Sequence, residues 1–249
     1  MNHTKQLFAA LPLLSCLFAL TGSAAACPAL QLDILGGTYD TFTQTIVAQS
    51  DPFTLYAYLK PTSRAPLSDT YFISAALVPK TGPAPLPGGG SFTFAGTTID
   101  VTDDMVYGIP PLETNLSKDP GDLRRHGIFE TYFAEFSFEF DSGNRATLYD
   151  TQTTSGVGPT PNINGGMYYQ AFSVDTTGLL PGYAIHFDLY NEKLHTLCSG
   201  ITDIDIDKFA PFSHDAQGPT HPVPEPGTML LLGTGLVGLA GWGRKKFRK

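Results

Sequence analysis

Apolar and polar side chains alternate along much of the chain with a period of two, the repeat of a strand with two unlike faces. In 53–59, Phe53, Leu55, Ala57 and Leu59 fall on one face, with Tyr56 and Tyr58 on the other. Over 129–140, Tyr132, Ala134, Phe136, Phe138 and Phe140 oppose Thr131, Glu135, Ser137 and Glu139, and only Phe133 breaks the pattern. Tyr183, Ile185, Phe187 and Leu189 alternate with Ala184, His186, Asp188 and Tyr190. The run 71–78 is apolar almost throughout, as in a strand covered on both sides. Shorter candidates lie at 30–35, 41–48, 91–95, 98–102, 146–149, 167–174, 193–198 and 201–207.

Turn-forming residues separate these runs at 79–90, 109–127 and 155–166. No internal window carries apolar residues at i, i+3, i+4 and i+7 over three turns, so helices should be few. About twelve short strands with Gly/Pro punctuation predict an all-β domain, a jelly-roll-like β-sandwich spanning 27–210. Residues 211–223 show no periodicity and read as a linker.

The two ends follow other rules. Residues 1–26 start with Lys5, continue through an apolar run and finish on the small residues Ser23, Ala24, Ala25 and Ala26. This is the pattern of a secretory signal peptide, with cleavage expected after Ala26 by signal peptidase following passage through the Sec translocon. At the other end, residues 229–242 carry no charge, and Arg244, Lys245, Lys246, Arg248 and Lys249 follow. Fourteen residues make a short transmembrane helix beside the ~20 that span a bilayer comfortably. Trp242 suits the interface, and the basic cluster would stay cytoplasmic as a set of retention charges.

Directly before this segment stand Pro224, Glu225 and Pro226. A Pro-Glu-Pro box, an apolar helix and a basic end, in that order over 224–249, resemble the tail of PEP-CTERM proteins. The resemblance implies recognition by an exosortase at Pro224, Glu225 and Pro226 in a Gram-negative bacterium, with cleavage there and release or transfer to the surface. The logic parallels a removable lipid-anchor tail, so the mature protein would keep no membrane helix. The ectodomain is similar to exported domains of the choice-of-anchor type. Leu32, Asp33 and Ile34, Gly36 to Asp40, Phe53 to Ala57, and Phe209 to Ala216 carry that likeness. It implies a surface module and no reaction.

Between the signals, residues 27–223 hold 22 acidic and 9 basic side chains, a net of −13. Such a domain excludes nonspecific nucleic-acid binding and should attract cations weakly. Cys27 and Cys198 remain once the leader is gone. In an oxidising compartment two cysteines pair more often than not, and a bridge between them would constrain the unfolded chain by ~5 kcal/mol. The alternative is lipid on Cys27, although the residues before it lack a lipobox leucine.

Three kinds of chemistry are open to such a domain. Asp203, Asp205 and Asp207 alternate, which on a strand puts their carboxylates on one face, the oxygen ligands that calcium requires, with Ile204 and Ile206 directed to the core. The same pattern also keeps an edge strand soluble, and Asp100, Asp103 and Asp104 repeat the ambiguity. Calcium is the one cofactor to consider. Tyr56, Tyr58, Tyr168 and Tyr169 could stack on sugars of extracellular polysaccharide, or simply pack under loops. No Gly-x-Ser-x-Gly occurs, and His126, His186, His195, His214 and His221 show no metal-ligand spacing. Ser213, His214 and Asp215 are adjacent, and chain neighbours rarely aim at one reacting atom. The expectation is a noncatalytic protein of the cell envelope or biofilm matrix, the alternative a carbohydrate-binding module.

Overall fold

The computed structural model describes residues 27–112, 121–123, 129–196, 202–221 and 234. These form β1 (Leu30–Ile34), β2 (Thr38–Asp40), β3 (Thr45–Val47), β4 (Phe53–Leu59), β5 (Tyr71–Val78), β6 (Ser91–Phe94) and β7 (Thr97–Asp100). They continue with β8 (Val106–Gly108), β9 (Thr131–Phe138), β10 (Arg145–Ala146), β11 (Met167–Asp175), β12 (Ala184–Thr196), β13 (Thr202–Phe209) and β14 (Asp215–Gln217), with a 3-10 turn at Phe212–His214.

The strands make two sheets. One has the order β1-β4-β11-β6-β7, with β10 beside β11, and the other has β2-β3-β14-β12-β5-β9-β8, with β13 on the far part of β12. Neighbours are antiparallel except β3 and β14, which run parallel, a pair that a jelly roll of antiparallel strands does not contain.

Alternation decides what lies between the sheets. Phe53, Leu55, Ala57 and Leu59 of β4 enter one core together with Ile185, Phe187 and Leu189 of β12, Tyr71, Ile73, Ala75 and Leu77 of β5, and Tyr132 and Ala134 of β9. Aromatic rings join the two layers. Phe94 stacks on Phe136 at 4.2 Å between centroids, Phe138 meets Phe172 edge-on at 5.0 Å, and Phe53 meets Phe187 at 6.2 Å. Each such pair adds about 0.5–1.5 kcal/mol beyond the area it buries. The result is a sandwich-like pair of sheets around one core.

The outer faces are covered as well. On the second sheet Tyr190 packs with Ile109 and Leu123, and Phe72 and Ile206 lie against them. Phe133, the residue out of step with the alternation of β9, is buried on this side. On the first sheet the segment 147–158 folds over β1 and β4. The Tyr149 ring lies 5.3 Å from that of Tyr58, and the Tyr149 hydroxyl donates to Asp33 Oδ2 at 2.6 Å. The Gly156 amide donates to Asp33 Oδ1 at 2.8 Å, and Gln31 binds Tyr149 O and the Thr151 amide at 2.9 and 3.0 Å. Gly156 needs its hydrogen side chain, for its φ is +80° and a Cβ would meet Gly37 O at 2.3 Å.

Several boundaries differ from the sequence reading. The stretch 193–198 is no separate strand, because β12 continues through Thr196 and pairs there with β13 past a bulge at Asn191/Glu192. In 41–48 only β3 is extended, and in 146–149 pairing stops at Ala146. The linker expected at 211–223 is instead woven into the fold up to His221. Its β14 lies between β3 and β12, the Gly218 amide donates to Ile185 O, and the Gly182 amide donates to His221 O, both at 2.8 Å. Three residues are too few to display a period, so β14 and β8 left no mark in the alternation.

Phe187 sits at the centre of the inter-sheet packing. Phe187→Ala should lower the free energy of unfolding by about 3–5 kcal/mol, read as a lower urea midpoint.

Candidate functional site

The outer face of the second sheet gathers an unusual set of polar groups. His186 and Asp188 occupy alternate outward positions of β12, so the strand repeat puts both on one side. β14 runs alongside, with His186 opposite Gln217 and Phe187 opposite Ala216. One further step brings Asp215 next to Asp188. Ala216 enters the core, which turns its neighbour Asp215 outward. On the other flank β5 sets Ser74 opposite Asp188.

His186 Nε2 stands 3.6 Å from Asp188 Oδ1 and 3.9 Å from Asp215 Oδ2. Ser74 Oγ donates to Asp188 Oδ2 at 3.2 Å. The three residues are 7 %, 1 % and 0 % exposed respectively. Each offers one ligand atom, all within 4.8 Å of one another, and this is the grouping among the described residues able to hold a metal ion. Burial first, and then the Asp188 charge, push the Asp215 carboxyl well above the usual carboxylate range, with His186 opposing them. Beside the cluster lies a cavity of about 200 Å³ whose wall includes His186, Thr45, Gln217, Phe129 and Phe212. Spacing rules could not find this site, since Asp215 arrives from a strand that the sequence reads as linker. The visible signal was the His-x-Asp alternation in an otherwise buried strand.

Asp215 and His214 part company. His214 Nε2 lies 3.4 Å from Asp150 Oδ1, and Ser213 Oγ lies 2.9 Å from His214 Nδ1. Burial lowers the His214 pKa, with Asp150 acting against it. This contact fastens the Phe212–His214 turn to the segment over the first sheet.

The calcium candidates face cationic neighbours. Across the hairpin, Asp203 pairs with His195 and Asp205 with Lys193. His195 Nε2 approaches Asp205 Oδ2 to 3.4 Å, and Arg64 Nε donates to Asp207 Oδ1 at 3.0 Å. Ile206 packs in the satellite cluster on the outer face and not in the main core.

Of the tyrosines, Tyr58 is fully buried because Tyr149 and its loop cover it, the packing role of the two that were open to it. Tyr56 and Tyr169 remain half-exposed, edge to face at 6.3 Å. Tyr168 packs against the core under Arg145, whose guanidinium carbon lies 5.4 Å from the ring. Cys27 carries a free, half-buried thiol that donates to Tyr149 O at 3.0 Å, and among the described residues no disulfide is seen. Burial raises the pKa of that thiol. Its expected partner Cys198 lies outside the described residues, as do the leader 1–26, Pro224, Glu225, Pro226, the segment 229–242, Arg244, Lys245, Lys246, Arg248 and Lys249. Among the described residues no helix is long and apolar enough to cross a membrane.

The described chain is an all-β domain of two sheets with a buried polar cluster on the outer face of the second. No curated protein matches it. Residues 222–245 match the PEP-CTERM protein-sorting motif. That motif marks an exported protein processed at the membrane, with exosortase as the processing partner.

Glu135 on β9 accepts a hydrogen bond from the Tyr190 hydroxyl, yet burial raises its pKa above the ordinary value. The folded state thus holds a proton that the unfolded chain has released, so this group favours folding at low pH, and the contribution is lost as pH rises through its raised pKa. Glu135→Gln keeps an acceptor for Tyr190. Between pH 5 and 7 the variant should lose less stability than the parent, as measured by urea midpoints at the two values.

Proposed function

We propose that the mature protein is a noncatalytic structural component of the cell envelope or biofilm matrix of a Gram-negative bacterium, delivered there by exosortase. The observation that carries this reading is the sorting motif at 222–245 joined to the sheet without a stalk. His221, the residue before the motif, is held by its carbonyl to the Gly182 amide at 2.8 Å, and its ring lies 3.2 Å from Thr176 Oγ1 and 3.4 Å from Asp51 Oδ2. Cleavage near Pro224, Glu225 and Pro226 would leave the sandwich only a few residues from its point of release or attachment. The half-exposed residues of the first sheet and the acidic balance suit a packed surface layer more than a deep substrate cleft.

A second reading is a carbohydrate-binding module. It is favoured by Tyr56 and Tyr169, whose half-exposed rings on the outer face of the first sheet offer a stacking edge for a sugar.

Fractionation of cells producing the full chain, with mass measurement of the mature C-terminus, tests the first reading. Exosortase-positive cells should yield an exported product ending near residues 224–226. Cells without the enzyme should hold the uncleaved chain at the membrane. A full-length product soluble inside the cell with both ends intact would overturn it. On a glycan array the second reading requires saccharide-selective binding that Tyr56→Ala weakens about tenfold, equivalent to about 1.4 kcal/mol; silence on the array counts against it.

A further inference from the structure

We infer that residues 218–221 form a strap whose release gates processing of the sorting motif, with His221, Asp51 and Thr176 as its clasp. The inference rests on the reading that exosortase cleaves near Pro224, Glu225 and Pro226. Beyond β14 the Gly218 amide donates to Ile185 O and the Gly182 amide to His221 O, both at 2.8 Å. The His221 ring then meets two loops. Its Nε2 lies 3.2 Å from Oγ1 of Thr176, which directly follows β11, and 3.4 Å from Oδ2 of Asp51, which stands just before β4. Asp51 is itself fixed in place, because it accepts from the Thr176 amide at 2.9 Å and from the hydroxyl of the same buried residue. The clasp thus joins chain leaving the second sheet to two loops of the first.

Distance along the chain gives the clasp its consequence. Only two residues separate His221 from Pro224, so even fully extended chain carries Pro224 at most ~11 Å from His221. An enzyme that cuts the main chain must enclose it on both sides of the scissile bond, and a sheet this close blocks the upstream side. Opening has to come first, and cleavage of a transiently opened segment follows the population of its open form. The clasp suits a reversible gate. A tight charged pair closes to about 2.7–2.9 Å, whereas His221 and Asp51 stand 3.4 Å apart with the histidine side chain 22 % exposed. One ring and one amide hold the last residue of the strap, and they can let go while the packing between the sheets stays closed.

The test follows the full chain in exosortase-positive cells by pulse-chase, reading the rate at which precursor becomes cleaved product. His221→Ala and Asp51→Asn should each raise that rate about threefold or more. A short Gly/Ser spacer inserted between His221 and Pro222 leaves the clasp intact and moves the motif away from the sheet. That chain should also be cleaved faster than the parent, and adding His221→Ala to it should change nothing further. A general loss of stability would still accelerate the spacer chain, so the pair separates gating from destabilisation. If parent, variants and spacer chain are all cleaved at one rate, or the variants more slowly, the strap is no gate and the exosortase reading stands alone. Further acceleration of the spacer chain by His221→Ala would overturn the inference as well. If no chain is cleaved, the exosortase reading fails and the inference fails with it.

Discussion

Contact between the apolar faces of two sheets holds the rest of the molecule in place. Phe94, Phe136, Phe138, Phe172, Phe53 and Phe187 bridge the layers with rings 4.2–6.2 Å apart, and a fully buried phenylalanine contributes roughly 1.5–3 kcal/mol on its own. The loops over the outer faces, the strand near the C-terminal end of the described chain and the polar groups beneath them all depend on sheets that these rings have already positioned. A sandwich of this kind is normally wet on its outer sides. Here both outer sides are partly roofed, so polar residues on outward positions end up buried.

That roofing explains the main surprise, the number of buried polar groups. Asp33 satisfies both oxygens through Tyr149, Gly156 and Ile34, and Gln31 ties the same loop to β1. Such groups are tolerated because each meets a donor or acceptor, which makes them pins between loop and sheet. The cluster of His186, Asp188 and Asp215 joins two adjoining strands instead of a loop and a sheet, with one imidazole nitrogen 3.6 and 3.9 Å from the two carboxylates.

Export and architecture meet at His221. The motif that directs processing begins one residue later, and the chain reaching it is tied to β3, β12, Asp51, Thr176 and Gly182. Each of these contacts involves residues up to 221 only, upstream of the motif.

The sequence by itself determined the strands with enough repeats to declare a period. β4, β9 and the first part of β12 agree with the alternation almost residue for residue, and β5 is the strand covered on both sides that its apolar run predicts. Pro224, Glu225 and Pro226 with the apolar and basic run behind them were likewise legible, since a sorting signal is read as linear sequence. Tertiary structure alone decided the rest. Asp-Ala-Gln at 215–217 is too short to carry a pattern and becomes a strand only because β3 and β12 leave a slot for it. Tyr58 is buried only because a loop more than ninety residues further along the chain folds over it. His186, Asp188 and Asp215 become one site for the same reason: alternation along a strand says which side a residue faces, while its neighbours across the ladder depend on which strands pair, a choice made by long-range packing.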